Sequence, residues 1–330
     1  MREKGKDDER SREKREISHR EKITFFAGAQ MILPRRDFNS FLAVSLSSLL
    51  FDKPLGAAPP VKKILAIGDV HRKIYQHDAV SHALATIEEL GRKSGLYDTY
   101  IHTDIQLLTK HPIDFPEKSA VPDVNGNDTN YKTLNDFEAV FFYGIGELEL
   151  SDQQKTDLLS FIHDDGKGFI GCHTAITAFY KWPEYGQMIG GYFDDHPWTT
   201  FDAPIIVEDP RFPAMKAFPP EFVTHDEIYQ VRNFSRDRVR VLARLDERKV
   251  DLNNPRVHRT DKDFAVAWAR DYGKGRVFYS TFGHTDESWD DPRMQTMWLE
   301  AIKWGMGLTK ADATPRARTA VTAAGENKSQ

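Results

Sequence analysis

One short stretch constrains the whole chain: Gly166-Lys167-Gly168-Phe169-Ile170-Gly171-Cys172-His173-Thr174-Ala175. Two apolar residues between glycines, followed by small residues, fit a buried strand that ends in a sharp turn. Such a turn presents a polar side chain at its apex, as the nucleophile elbow of α/β folds does. Here the apex residue is His173, with Cys172 beside it. In open α/β sheets, ligands bind beyond the carboxyl ends of the strands. The stretch therefore points both to a parallel sheet and to the end of that sheet where function sits. The plainer reading is a strand and turn in which His173 only satisfies a backbone group.

The flanking sequence agrees with an α/β fold. Residues 62–70 form an apolar run of buried-strand length, ending near His71. Val80, Leu84, Ile87 and Leu90 recur at helical spacing, so 78–92 reads as a helix closed by Gly91 and Gly95. Residues 97–103 make a more polar strand, nearer an edge, and 110–130 read as a loop. Residues 137–143 make a third strand, and Ser151 to Gln154 is a capping box before the next helix. Strand, helix, strand, helix, strand is the order of a mainly parallel sheet with helices on both faces, a three-layer sandwich. Gly144 and Gly146 do not complete a GxGxxG fingerprint, and no phosphate loop is present. Further on, 182–198 reads as a close-packed loop. Strands follow at 203–207, 222–229, 239–245, 264–269 and 276–281, the last after a turn at Gly273-Lys274-Gly275. They extend the sheet with antiparallel additions. Asp291 as N-cap and Pro292 as first residue open a final helix whose buried stripe is Met294, Met297, Trp298, Ala301, Ile302 and Gly305.

The ends of the 330-residue chain read differently from its middle. Residues 1–30 are charged and without apolar period, an upstream extension or a disordered segment. Met31 is a second candidate start. From it, 31–58 has the three parts of an export signal: Arg35-Arg36-Asp37-Phe38, an apolar run, and a small-residue end with cleavage after Ala57. The paired arginines resemble a twin-arginine signal, which makes the export machinery a partner and the location periplasmic or secreted. The apolar run of about eleven residues is too short to span a bilayer, so no stable membrane span is expected in the mature protein. The competing reading is a buried helix with a chance arginine pair. Residues 60–308 are one domain, and 309–330 read as a disordered tail. A net charge of −5 gives no basic surface for nucleic acid. Cys172 is the one cysteine, so no intrachain disulfide can form.

Twelve histidines carry most of the chemical interest. His77, His173 and His284 fall near carboxyl ends of strands, where His196 could join them. His225 stands in a strand next to Asp226 and Glu227. Neighbouring side chains on a strand point to opposite faces, so one of these two carboxylates enters a pocket, and Glu227 is favoured. Imidazole and carboxylate together serve as general acid and base near neutral pH. They equally ligate a divalent metal. No spacing such as His-Glu-x-x-His decides between the two, so the metal stays unknown. His71, His82, His102, His111, His163 and His258 read as surface or core residues. Tyr143, Tyr192, Trp198 and Trp289 fit an apolar wall for a sugar face, or plain packing. Cys172 reads as a small buried hydrophobe rather than a nucleophile, which would need a lowered pKa and a base at hand.

Four motifs together resemble the ThuA-like family, named for a trehalose-utilisation protein. They are Gly166 to His173, Gly190-Gly-Tyr-Phe-Asp-Asp-His196-Pro197, Thr224-His-Asp226-Glu227-Ile-Tyr229, and Tyr272-Gly-Lys-Gly-Arg-Val-Phe-Tyr-Ser-Thr-Phe-Gly283-His284. The resemblance covers residues 62–307. It implies the class I glutamine amidotransferase-like fold, a flavodoxin-like sheet with extra strands. Amidotransferases carry their catalytic cysteine as Gly-x-Cys. Here Gly171-Cys172-His173 puts histidine at that place, so glutamine hydrolysis does not carry over. The implied function lies in carbohydrate metabolism: an exported lyase or hydrolase acting on a sugar or oxidised sugar. His173 or His284 would move a proton with Glu227 or Asp226 as partner, while His77, His196, Trp198 and Tyr143 hold the substrate. The alternative is a non-catalytic sugar-binding module on the same fold. Whether the chain is an enzyme stays open at this stage, as does a divalent metal.

Overall fold

The computed structural model describes residues 61–68, 75–112 and 132–318. Residues 1–58, with the signal-like segment and its arginine pair, lie outside the described residues. So do His71, most of the 110–130 loop and 319–330. Everything described belongs to the unit Pro59–Gln330.

Strands β1 (Lys62–Ile67), β3 (Ala139–Phe142) and β4 (Gly168–Cys172) form the centre of a nine-stranded sheet. β2 (Tyr97–His102) lies outside β1, and β11 (Gly275–Ser280) lies beside β4. These strands all run parallel. Beyond β11 the sheet continues antiparallel through β10 (Ala265–Tyr272), β9 (Arg240–Leu245), β6 (Thr200–Val207) and β7 (Glu221–Glu227). The order is β2-β1-β3-β4-β11-β10-β9-β6-β7. The polar 97–103 run is therefore an edge strand. β3 and β4 are buried along their whole length, as strands covered on both faces must be.

The two-residue period of the strands sorts the core into two layers. Ile64, Ala66, Phe141, Ile170 and Phe278 face helices α1 (Val80–Ser94) and α5 (Pro292–Gly305). Leu65, Ile67, Val140, Phe142, Phe169 and Val277 face α2 (Asp152–His163) and α3 (Pro183–Ile189). Ser151 caps α2 through Gln154, a reciprocal pair worth about 1 kcal/mol at the serine. Asp291 caps α5 at the Arg293 amide, with Pro292 as its first residue. That helix lies close on β4: a Cβ on Gly168 would stand 2.8 Å from the Gly305 carbonyl carbon.

Two expectations change. The 182–198 stretch is not all loop, since Pro183–Ile189 is helix α3. Its residues Tyr192–Asp195 form β5, which pairs antiparallel with β8 (Gln230–Arg232). The turn before it uses Gly190 at φ 108°, where a Cβ would also meet the Trp268 ring nitrogen at 2.7 Å. The tail is also ordered further than expected, because 309–318 lies against the domain. Ala313 is 3% exposed, Asp312 pairs with Arg240, and Arg318 pairs with Glu247. Charge pairing supplies the anchorage that the tail's sparse apolar content does not. Among the described residues, no helix is long and apolar enough to cross a membrane.

Candidate functional site

The ends of β4, β7 and β11 meet at one place. β4 stops at Cys172, and His173 follows at φ 41°, in the left-handed region, opening a short 3-10 turn, His173–Thr177. That conformation costs a non-glycine residue roughly 1–3 kcal/mol and persists only where surroundings fix it. Two contacts do so. Tyr279 Oη donates to the His173 carbonyl at 2.7 Å, and His173 Nδ1 lies 2.5 Å from the Thr281 carbonyl oxygen. A carbonyl only accepts, so Nδ1 carries the proton, and Nε2 turns a lone pair toward the Tyr229 hydroxyl.

On β11 the chain turns at Gly283, φ 114°, to deliver His284. A Cβ there would crowd the Trp289 ring at 3.0 Å and Cys172 Sγ at 3.1 Å. Asp226, wholly buried, fixes this turn. It accepts from the backbone amides of Gly283 at 2.8 Å, His284 at 3.0 Å and Glu227 at 2.8 Å. Glu227 ends β7 and points the other way. Its Oε1 lies 2.8 Å from His196 Nδ1. Its Oε2 lies 3.3 Å from His284 Nδ1 and 3.5 Å from His173 Nε2. The two imidazole nitrogens are 3.2 Å apart. Tyr229 stacks on His173 at 4.4 Å between centroids and donates its hydroxyl to Nε2 at 2.7 Å. His77, just before α1, places its ring 4.9 Å from those of His173 and His284.

Crowding sets the charges. Burial, with the neighbouring His173 and His284, pushes His77 down to about 3, so it is neutral at physiological pH. Burial opposes ionisation of Glu227, but the surrounding imidazoles of His173, His196 and His284 outweigh it and hold the carboxyl well below its usual range. Burial likewise opposes a charged His284, and the Glu227 hydrogen bond overcomes it, raising that pKa. Burial lifts the Tyr229 hydroxyl well above 10.

Several of these groups border a cleft of about 530 Å³. His77, His196, Glu227 and His284 form its polar side; Tyr75, Ile145, Tyr180, Phe193 and Tyr229 form its apolar side. A few convergent polar groups within an aromatic-walled concavity is the usual make-up of a small-molecule site.

The sequence pattern of the ThuA family, described as trehalose utilisation, matches residues 69–305, more than half of the chain. The chain belongs to the ThuA family. Among solved structures, it is similar to a ThuA-like protein from Bacteroides uniformis, with TM-score 0.56 and 18% identity, covering 77% of this chain and 94% of that one. It is also similar to a ThuA-like protein from Parabacteroides merdae, with TM-score 0.54 and 17% identity, covering 78% of this chain and 98% of that one. At that identity the likeness carries the fold, which is the flavodoxin-like, glutamine amidotransferase-like one. No curated protein matches the chain.

In this ThuA domain, His77, His173, His196, Glu227 and His284 come together, with His173 buried behind the cleft surface, while three other candidates neither join them nor open onto the cleft. Asp226 lies behind the wall, holding backbone, because alternation along β7 admits Glu227 alone. Tyr143 is 1% exposed, its hydroxyl spent on the Gly283 carbonyl at 2.8 Å. Trp198 is elsewhere, packed edge-on against Phe264, with its ring nitrogen on the Asp251 carbonyl. Nor do Tyr192 and Trp289 form a wall: both point their polar atoms at backbone carbonyls inside the fold. Cys172 is buried, which pushes its thiol pKa well up, with Asp226 adding to the effect; it is no nucleophile. The real aromatic wall was not singled out by composition. Phe193 and Tyr229 lie inside two of the family motifs, which is the signal that points to them; Tyr75 and Tyr180 carry no such signal.

Proposed function

We propose that this ThuA protein is a carbohydrate-processing enzyme, a lyase or hydrolase acting on a sugar or oxidised sugar in the cleft. One observation carries the reading: Glu227 and His284 line a cleft with aromatic sides, and the buried His173 backs them, with the three within 3.5 Å of one another. Sugars offer apolar ring faces that stack on aromatic rings, and hydroxyls that need polar partners at fixed places. Proton removal beside a carbonyl and hydrolysis of an acetal both use a general acid or base within reach of a substrate atom, a role that imidazole and carboxylate each fill. The strained, doubly held His173 fits a reactive position better than a packing one. The family's description as trehalose utilisation supports the substrate class.

The test is incubation of the purified protein with trehalose, other disaccharides and their keto derivatives, followed by NMR. Product formation that falls at least about 100-fold in His173→Ala is expected, the size of a general acid–base contribution. Saturable binding without turnover would favour the sugar-binding module instead. Neither binding nor turnover across the panel would remove carbohydrate from the reading.

We also propose that the protein is exported, on the strength of Arg35-Arg36 before an apolar run and Ala57. Replacing the pair with lysines should leave the protein in the cytoplasm of a bacterial host. Export unchanged by that replacement contradicts a twin-arginine route.

A further inference from the structure

We infer that His173, His284 and Glu227, with His77 as fourth ligand, bind one divalent transition-metal ion at the floor of the cleft. The inference rests on the reading of this cleft as the reactive centre and names the cofactor that centre uses. Its geometric basis is the spacing of donors. Ligands held about 2.0–2.1 Å from a tetrahedral ion stand about 3.3–3.4 Å from one another. His173 Nε2, His284 Nδ1 and Glu227 Oε2 are separated by 3.2, 3.3 and 3.5 Å. Three donors thus already stand at the edges of such a tetrahedron. A His77 ring nitrogen completes a group whose atoms all lie within 4.8 Å of one another.

The surroundings of these donors are those a metal ligand needs. His173 donates Nδ1–H to the Thr281 carbonyl, which fixes the ring and its tautomer and turns the lone pair of Nε2 inward. His196 engages Oε1 of Glu227 and leaves Oε2 to face the imidazoles. Asp226 holds the backbone amide of His284 and so sets where that ring hangs. Tyr229 holds the Nε2 lone pair through its hydroxyl, and an ion bound there takes the place of that hydrogen bond. Three imidazoles and one carboxylate, with no thiolate, suit zinc and its first-row neighbours rather than calcium or magnesium. The only thiol, Cys172, points instead to the Phe282 carbonyl. Because His77, Glu227 and His284 also line the cleft, a sugar oxygen could reach the ion. The chemistry supplied there is polarisation of a carbonyl or hydroxyl.

The experiment uses chelator-treated full-length protein titrated with cobalt(II) and, separately, zinc(II), with no sugar present. Cobalt should give a visible absorption band of four-coordinate intensity that saturates at one equivalent, and zinc should abolish it. Glu227→Gln, nearly isosteric, and His284→Ala should weaken binding more than about 100-fold, beyond the 10–100-fold expected for the outer-shell variant His196→Ala. Circular dichroism of Glu227→Gln confirms that its fold is kept. The surface variant His258→Ala should bind like wild type. No saturable band, or binding unchanged by Glu227→Gln, overturns the inference. Sugar turnover separates it from the reading beneath. Metal binding with neither binding nor turnover of any sugar on the panel upholds the metal site and sinks the carbohydrate reading. Full turnover by metal-free protein does the reverse.

Discussion

At the scale of single residues, the site depends on a carboxylate that never touches the cleft. Asp226 accepts from three backbone amides and so joins the end of β7 to the turn that carries His284. Asn in its place has one acceptor oxygen and one NH₂ group, which would face a backbone N–H. Hydrogen bonds to a charged group contribute about 1.5–3 kcal/mol each, so Asp226→Asn should lower stability by about 2–4 kcal/mol. Urea denaturation measures it, and a loss under about 0.5 kcal/mol would remove Asp226 from this role. The adjacent Glu227 was distinguishable from Asp226 in the sequence by alternation alone. His173 was distinguishable by its place after a glycine-rich strand. Trp198 and Tyr143 were not: an aromatic residue near a motif packs or lines a pocket according to contacts from distant segments, here Phe264 and Gly283.

At the scale of elements, the parallel half of the sheet was legible because its strands are short apolar runs separated by helical periods. Capping residues such as Ser151 and Asp291 marked helix starts within a residue. The antiparallel half was legible as strands but not as an order. β11 inserts beside β4, although β5 to β10 intervene in sequence, because Val277 to Tyr279 are apolar enough for a doubly covered position. β5 escaped notice since Phe193-Asp194-Asp195 alternates too briefly to declare a strand, and its pairing with β8 is what orders it. That small ribbon matters for the site, since it brings Phe193 against Tyr229 at 4.7 Å between centroids.

At the scale of the molecule, paired charges hold the antiparallel half and the tail. Arg236 bridges Glu208 and Asp263, and Arg240 bridges Asp209 and Asp312. Such carboxylates make the fold sensitive to acid. Hydrogen bonds from Arg248, and then Lys249, hold Asp246 down at about 2, against roughly 3.9 for an unfolded carboxyl. A depressed folded value means that the unfolded chain binds more protons between the two. The stabilisation is therefore complete above about pH 4 and vanishes as pH falls through about 2. The urea midpoint should drop across that window, and Asp246→Asn should start lower at pH 7 and fall less. Equal declines in the two proteins would contradict the assignment.

The proposed sugar chemistry of the cleft is most directly tested by kcat/KM of wild type and Glu227→Gln on the sugar that NMR identifies as substrate. A loss of at least about 100-fold, with the circular dichroism spectrum unchanged, is predicted, since Glu227 organises all three of His173, His196 and His284. Equal kcat/KM in the two proteins would mean that the reaction happens elsewhere.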